Sequence, residues 1–323
     1  MTVKMAGDAY AIFLPLMDRF GASCTPEEFY WAVNDAYHAC EAKYYDYLHA
    51  SMFKWLRPMW MRNFAHAPER VGLTVLDIGS GTGLVGDFLN NILGARVSSL
   101  TCLDPSKSMQ AELGKRAVNW AFPTKLVEGR IEDLDPSIKF DVITVNSVLH
   151  HVVDLEQFCG QITRRMVKDG VFLTAQDPRA GSCDDETLRE RAQRLANEKA
   201  PLLERSRLRL QRLSRTRSSS RLEAEVNRIL AERGIVSRSM DLRSIWAVTD
   251  VHVPNQVAEI GKGIDLGNMV RWLSGCELLD SYTYQYHGVD WDYLGARFQA
   301  EELRLWEAND GHGALFGSAW VRT

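Results

Sequence analysis

Leu76-Asp77-Ile78-Gly79-Ser80-Gly81-Thr82-Gly83 is the stretch on which the fold turns. It ends a short β-rich run that begins at Thr74, and the helix-like segment Leu84 to Leu93 follows it. Glycines at such a junction let the backbone turn sharply. They also let a ligand approach main-chain N–H groups that a Cβ would shield, a geometry that nucleotide-type cofactors exploit. About twenty residues on, Asp104 closes the apolar run Leu100 to Leu103, ahead of Pro105, where a carboxylate can accept both hydroxyls of a ribose.

Two cofactor classes compete for this arrangement, because Gly81, Gly83 and Gly86 also satisfy the dinucleotide pattern G-x-G-x-x-G. In dinucleotide sites the first glycine follows the strand directly. Here the strand runs into Asp77, Ile78 and Gly79, and so carries a carboxylate at its end. An acidic group there suits a ligand bearing an ammonium rather than a pyrophosphate. S-adenosylmethionine has an α-amino group and no phosphate, so the charge favours it over a nicotinamide dinucleotide.

Outward from the turn, further β-rich runs fall at Ser99 to Leu103, Lys125 to Val127, Phe140 to Val145 and Val171 to Ala175. Helix-like segments separate them at Ser106 to Trp120 and Asp154 to Lys168. That alternation predicts βαβ units around a parallel sheet, an α/β fold. Before it, Thr25-Pro26-Glu27-Glu28 reads as a capped helix start with Pro at the first helical position. After Pro178 the alternation stops, and Cys183 to about Arg243 is highly charged with Leu and Ala at helical spacing. The sheet pattern resumes with a helix near Leu266 to Leu273, a strand near Glu277 to Tyr286, a helix within Tyr293 to Trp306 and a last strand near Ala314 to Val321.

Val75 to Gly83, Leu103 to Met109 and Phe140 to His151 together resemble the successive motifs of class I S-adenosylmethionine-dependent methyltransferases. The texture is most similar to the ubiquinone/menaquinone-biosynthesis-like group, whose fourth strand also runs into a segment like Asn146 to His151. The resemblance covers residues 70 to 178 best. It implies a Rossmann-like, seven-stranded, doubly wound sheet with an antiparallel last strand. The expected organisation is an N-terminal helical lid over 1–70, a cofactor-binding core over 71–180, an inserted helical cap over 181–255 and the rest of the sheet over 256–323. It further implies that Asp77, Gly79, Gly81 and Gly83 hold the methionine part of the cofactor, that Asp104 lies at the ribose, and that Ser106 and Met109 lie near the adenosine. Ser80, Pro105 and Asn146 are further cofactor-binding candidates. The family's acidic residue after the third strand is replaced here by Gly129-Arg130-Ile131-Glu132-Asp133. Arg130 has no acceptor. The adenine contacts are therefore expected at Ile131 and Glu132, and the alternative for Glu132 is a solvated helix start.

Methyl transfer demands alignment more than acid–base chemistry, but a hydroxyl or amine acceptor needs a base. His150 and His151, just past the fourth strand, are the first candidates, with structural packing as the alternative. Tyr37, His38, Glu41, Tyr45 and Asp46 share neighbouring faces of one helical stretch. Tyr45 is a candidate at the reacting group; Tyr37, His38 and Glu41 are candidates for acceptor binding. Core packing is the competing explanation for Tyr44 and Tyr45. His252 and Asp250, and Tyr286 at the end of the sixth strand, complete the candidates, alternation placing Tyr282, Tyr284 and Tyr286 on one face. Arg205, Arg209 and Arg212 belong to a run of seven arginines between Leu203 and Arg221 that contains one acid, Glu204. Such a cluster suits an anionic acceptor, phosphorylated, diphosphate or acidic, or else a solvated helix pair.

Composition narrows the rest. At 323 residues and 46% hydrophobic the chain can bury a full core, and a net charge of −4 argues against wholesale nucleic-acid binding. The arginine run has no aromatic interleaving, which weakens an RNA methyltransferase reading. Six scattered cysteines, with no C-x-x-C pair, read as reduced thiols, and no metal is expected. The one early apolar run, Ala11 to Met17, is flanked by Asp8 and Asp18 and does not read as a signal peptide. A cytoplasmic protein acting on a small-molecule substrate is expected, without membrane insertion, and a homodimer stays open. The rival readings are a nicotinamide-dependent oxidoreductase and a non-catalytic S-adenosylmethionine-binding protein.

Overall fold

A computed structural model describes residues 6–198, 219–253 and 261–323. The chain divides into two compact units, Ala42–Glu198 with Gly263–Thr323, and Met1–Glu41 with Lys199–Lys262. Among the described residues no helix is long and apolar enough to cross a membrane.

The larger unit is built on β1 (Leu73–Ile78), β2 (Val97–Asp104), β3 (Thr124–Glu128), β4 (Phe140–Asn146), β5 (Met166–Pro178), β6 (Cys276–Tyr284) and β7 (Leu315–Arg322). They form one seven-stranded sheet in the order β3-β2-β1-β4-β5-β7-β6. The strands from β3 through to β5 pair in parallel, and β7 is antiparallel to both its neighbours. The seven strands and the reversed last one are as the motifs imply. Strand order reverses between β1 and β4, and in open α/β sheets ligands bind at the carboxyl ends of strands at such a point.

Side-chain alternation splits the core into two layers. Val75, Leu100, Cys102, Val142, Leu173 and Ala175 face the helices Ala50–Phe64 and Leu84–Ile92, which supply Trp55, Leu56, Met59, Trp60, Phe64, Val85, Phe88 and Leu89. Leu76, Ile78, Ile143, Val145 and Phe172 face the opposite way, onto Phe158 and Ile162 of Leu155–Arg165 and Met269 of Leu266–Trp272. β4 is buried on both faces, as a central parallel strand must be. Each such aliphatic side chain contributes about 1.5–3 kcal/mol by leaving water.

The unit boundaries fall elsewhere than the expected 1–70, 71–180, 181–255 and 256–323. Residues 42–70 group with the sheet because Ala50–Phe64 lays its whole apolar face on it. The first helix of the expected cap, Glu186–Asn197, also stays with the sheet unit. Arg191 makes two 3.0 Å hydrogen bonds to Asp310, Arg194 pairs with Glu301 at 2.6 Å, and Arg179 pairs with Asp185 at 2.5 Å.

The smaller unit centres on Pro26–Glu41, whose start is capped reciprocally. The Thr25 N–H donates to Glu28 at 2.8 Å and the Glu28 N–H to the Thr25 hydroxyl at 3.3 Å. Leu242–Thr249 packs on it, and Phe13 stacks on Tyr30 with centroids 5.4 Å apart. Arg205, Arg209 and Arg212 lie outside the described residues.

Candidate functional site

The glycine turn folds back on the end of β2. Gly79 and Ser80 N–H groups donate to the Leu103 carbonyl at 2.8 and 3.2 Å, and the Gly81 N–H donates to Asp104 Oδ2 at 2.8 Å. Asp104 Oδ1 accepts from the Ser106 N–H at 2.8 Å, while Ser106 Oγ accepts from the Met109 N–H and caps the helix Lys107–Ala117. The turn and the Asp104 carboxylate are therefore in direct contact. Gly79 has φ +63°, and a Cβ there would stand 2.3 Å from Val148, so the turn also lies against the chain leaving β4. At Gly81, among the described residues beyond its chain neighbours, nothing lies closer than 4.0 Å to where a Cβ would be. Gly86 is different: a Cβ would fall 2.2 Å from the Trp120 indole. The third glycine of the dinucleotide-like pattern is thus required by packing, with no pyrophosphate needed to explain it.

Asp77, Thr144 and Asn146 project from one face of the sheet, since Asp77 pairs with Thr144 across β1 and β4 and Asn146 follows two residues on. Asp77 is 1% exposed. Its Oδ1 accepts the Thr144 hydroxyl at 2.7 Å, and its Oδ2 has no partner among the described residues. Burial pushes the Asp77 carboxyl up to about 7, the neighbouring Asp104 adding to the effect. Asp104, also desolvated, rises to about 6 against the opposing pull of its two backbone N–H donors. A buried acceptor with an unsatisfied oxygen fits a cationic ligand group. Each Asp104 oxygen keeps a second lone pair for a hydroxyl.

On the other side of β4, the β5 strand bulges between Thr174 and Asp177, with Gln176 at φ +71°. The bulge turns Asp177, fully buried, toward His150: Asp177 Oδ1 accepts the His150 backbone N–H at 3.0 Å and lies 2.8 Å from His150 Nδ1. The His151 ring stands 4.0 Å from that of His150. Asp177 is absent from the sequence-based candidates; its only signal was a carboxylate past the end of an apolar strand. Ser147, after Asn146, also has positive φ, +59°. Strained backbone at adjacent strand ends marks the same edge.

The remaining candidates lie on other elements. The Tyr45 ring lies tilted against that of His49, centroids 4.4 Å apart, and Asp46 beside it accepts the Thr82 hydroxyl at 2.6 Å and pairs with Arg116. These last three line a cleft of about 280 Å³ with Ala42, Lys43, Glu112 and Lys115. Ile131 is core and Glu132 is exposed in the turn Ile131–Asp133; Pro105 is exposed and Met109 buried. Tyr286 is wholly buried, its hydroxyl donating to the Thr283 carbonyl at 2.6 Å. Tyr37, His38, Glu41, Asp250 and His252 belong to the smaller unit. There Trp246 Nε1 donates to the Tyr37 hydroxyl at 3.2 Å, and burial together with Glu41 and Asp250 holds that hydroxyl well above its usual range.

Residues 76–172 match a family described as methyltransferase domain. A ubiquinone biosynthesis O-methyltransferase of Paramagnetospirillum magneticum is 35% identical over 105 residues, 32% of this chain and 40% of that one. Its counterpart from Rhodopseudomonas palustris strain HaA2 is 32% identical over 104 residues, with the same coverage. The chain thus spans about two fifths of the length of these curated relatives. An S-adenosylmethionine-dependent methyltransferase structure from Clostridium acetobutylicum aligns with TM-score 0.45 and 12% identity, over 86% of this chain and 96% of that one. Residues 76–172, which carry the turn and the central strands described above, thus form a methyltransferase domain.

Proposed function

We propose that the protein methylates a hydroxyl group of a small molecule, with His150 as the base that removes the hydroxyl proton. The observation that carries this is the buried pairing of His150 Nδ1 with Asp177 at the carboxyl edge of the sheet. Asp177 holds Nδ1 as the donor and leaves Nε2 as the nitrogen that takes the proton; the resulting imidazolium sits beside a carboxylate. The names of the matched relatives, O-methyltransferases, support a hydroxyl acceptor. S-adenosylmethionine, when bound, supplies an activated methyl group on a sulfonium. Toward it, Asp77 would hold the ammonium, the Gly79–Gly83 backbone the methionine end, Asp104 the ribose, and Ser106, Met109 and Ile131 the adenosine. The arginine run at Arg205, Arg209 and Arg212 supports, on sequence grounds, an anionic acceptor.

Incubation with isotopically labelled S-adenosylmethionine and a panel of hydroxylated acids and phosphorylated metabolites tests the reading, by mass detection of a methyl ether. His150→Gln should lower kcat by roughly 10²–10⁴-fold while leaving S-adenosylhomocysteine affinity unchanged. Cofactor binding without transfer to any acceptor would leave a binding protein instead.

A further inference from the structure

We infer that Trp60 is a positioning residue: its indole N–H sets the orientation of the Asn146 carboxamide, so that Asn146 presents N–H donors to the carboxylate of the cofactor's amino-acid end. Trp60 lies in the helix Ala50–Phe64, is fully buried, and donates from Nε1 to Asn146 Oδ1 at 3.1 Å. An indole nitrogen donates and never accepts, so it can engage only the amide oxygen. That removes the ambiguity between the two ends of an amide and commits the –NH2 to the opposite direction. Asn146 is the last residue of β4, half-buried, and its backbone leaves through the left-handed Ser147.

On the same sheet face, one strand over, Asp77 offers a buried carboxylate oxygen with no partner among the described residues. The edge therefore presents an acceptor from β1 and a donor pair from β4, the complement of a zwitterionic amino acid. A wrongly turned Asn146 would aim its oxygen at a carboxylate and repel it. The apparent affinity falls with the fraction of amides turned correctly. Trp60 raises that fraction without touching the ligand.

The inference rests on the cofactor reading above, and the test separates the two. Calorimetry is run on the full chain with S-adenosylhomocysteine and with its decarboxylated analogue, which keeps the amine and lacks the carboxylate. Asn146→Ala should weaken S-adenosylhomocysteine about tenfold, the scale of a hydrogen bond to a charged group. Trp60→Phe should weaken it about twofold, because the two amide orientations become similar in energy and half the amides are turned the wrong way. Neither substitution should measurably weaken the analogue. In the Asn146→Ala background, Trp60→Phe should cost nothing further for S-adenosylhomocysteine. Equal losses for both ligands, or an undiminished Trp60 effect without Asn146, would make Trp60 a packing residue and overturn the inference. Absence of binding by the unaltered protein would instead overturn the cofactor reading. Should Trp60→Phe unfold, Asn146→Asp, which cannot donate and adds a negative charge, must show the same selective loss.

Discussion

Two buried carboxylates sit at different places in the sheet unit and are treated in opposite ways. Glu302, on the helix Ala296–Glu307, is fully buried with a donor at each oxygen: Oε2 accepts the Tyr286 N–H at 3.1 Å, and Oε1 accepts the His287 N–H at 2.9 Å and lies 2.7 Å from His287 Nδ1. Asp77, equally buried, has one hydroxyl donor and an oxygen with none among the described residues. Both ionisable groups are shielded from water, so burial alone does not distinguish these two carboxylates. An oxygen left without a donor does. Glu302 gathers donors that would otherwise be orphaned where the chain leaves β6, and so fastens a helix to the sheet. Asp77 keeps an unmet demand at the switch point, which a ligand's ammonium group would meet.

The comparison is broken most easily at Glu302. Glu302→Ala should destabilise the unit by about 3–5 kcal/mol, since it strands two backbone N–H groups and a histidine ring together. Denaturant unfolding measures this, and a loss below about 1 kcal/mol, the worth of a single neutral hydrogen bond, would mean that water replaces the carboxylate. S-adenosylhomocysteine affinity should be unchanged in whatever fraction stays folded. Asp77→Asn should do the reverse. Above pH 7 it removes a desolvated charge, so the melting temperature should hold or rise. Affinity should fall by about 1.5–3 kcal/mol through loss of a charge-assisted contact. Calorimetry showing equal affinity would end Asp77's assignment to the ammonium.

The parts of this design that are local in sequence were readable from it. The glycine turn, the strand ending in Asp104 and the Thr25–Glu28 cap each depend on residues a few positions apart, and each appears where expected. Tertiary partners were not legible. Asp177 faces His150 only because β5 bulges, and β5 runs thirteen residues, Met166–Pro178, because β7 pairs along its far side. Alternation put Tyr282, Tyr284 and Tyr286 on one strand face, but β6 ends at Tyr284 and Gln285 turns at φ +56°, so only the first two lie in the strand, on a dry face where their hydroxyls donate to Asn63 and Gln176 at 3.0 and 2.9 Å. Trp60 carried no signal beyond an apolar helix face. Its partner lies 86 residues away.

The smallest expected effect is also the sharpest test of the unsatisfied carboxylate, because it follows one proton. In the unliganded protein the Asp77 carboxyl stands at about 7, raised mainly by burial, whereas an unfolded chain ionises it near 4. Between those values the folded state holds a proton that the unfolded state has released. The stability contributed at low pH is therefore lost as pH rises through about 7, the sign opposite to that of a salt-bridged aspartate. A bound ammonium favours the ionised form, so ligand binding must expel the proton and strengthen with pH. From pH 6 to pH 8 the ionised fraction of a group at about 7 grows roughly tenfold, and S-adenosylhomocysteine affinity should rise by that factor, about 1.4 kcal/mol. Asp104, raised to about 6, steepens only the acid end of the curve. Calorimetry in buffers of different ionisation enthalpy should register the released proton near pH 6, and Asp77→Asn should flatten the slope above pH 6.5. A slope that survives in Asp77→Asn would assign the proton to another group.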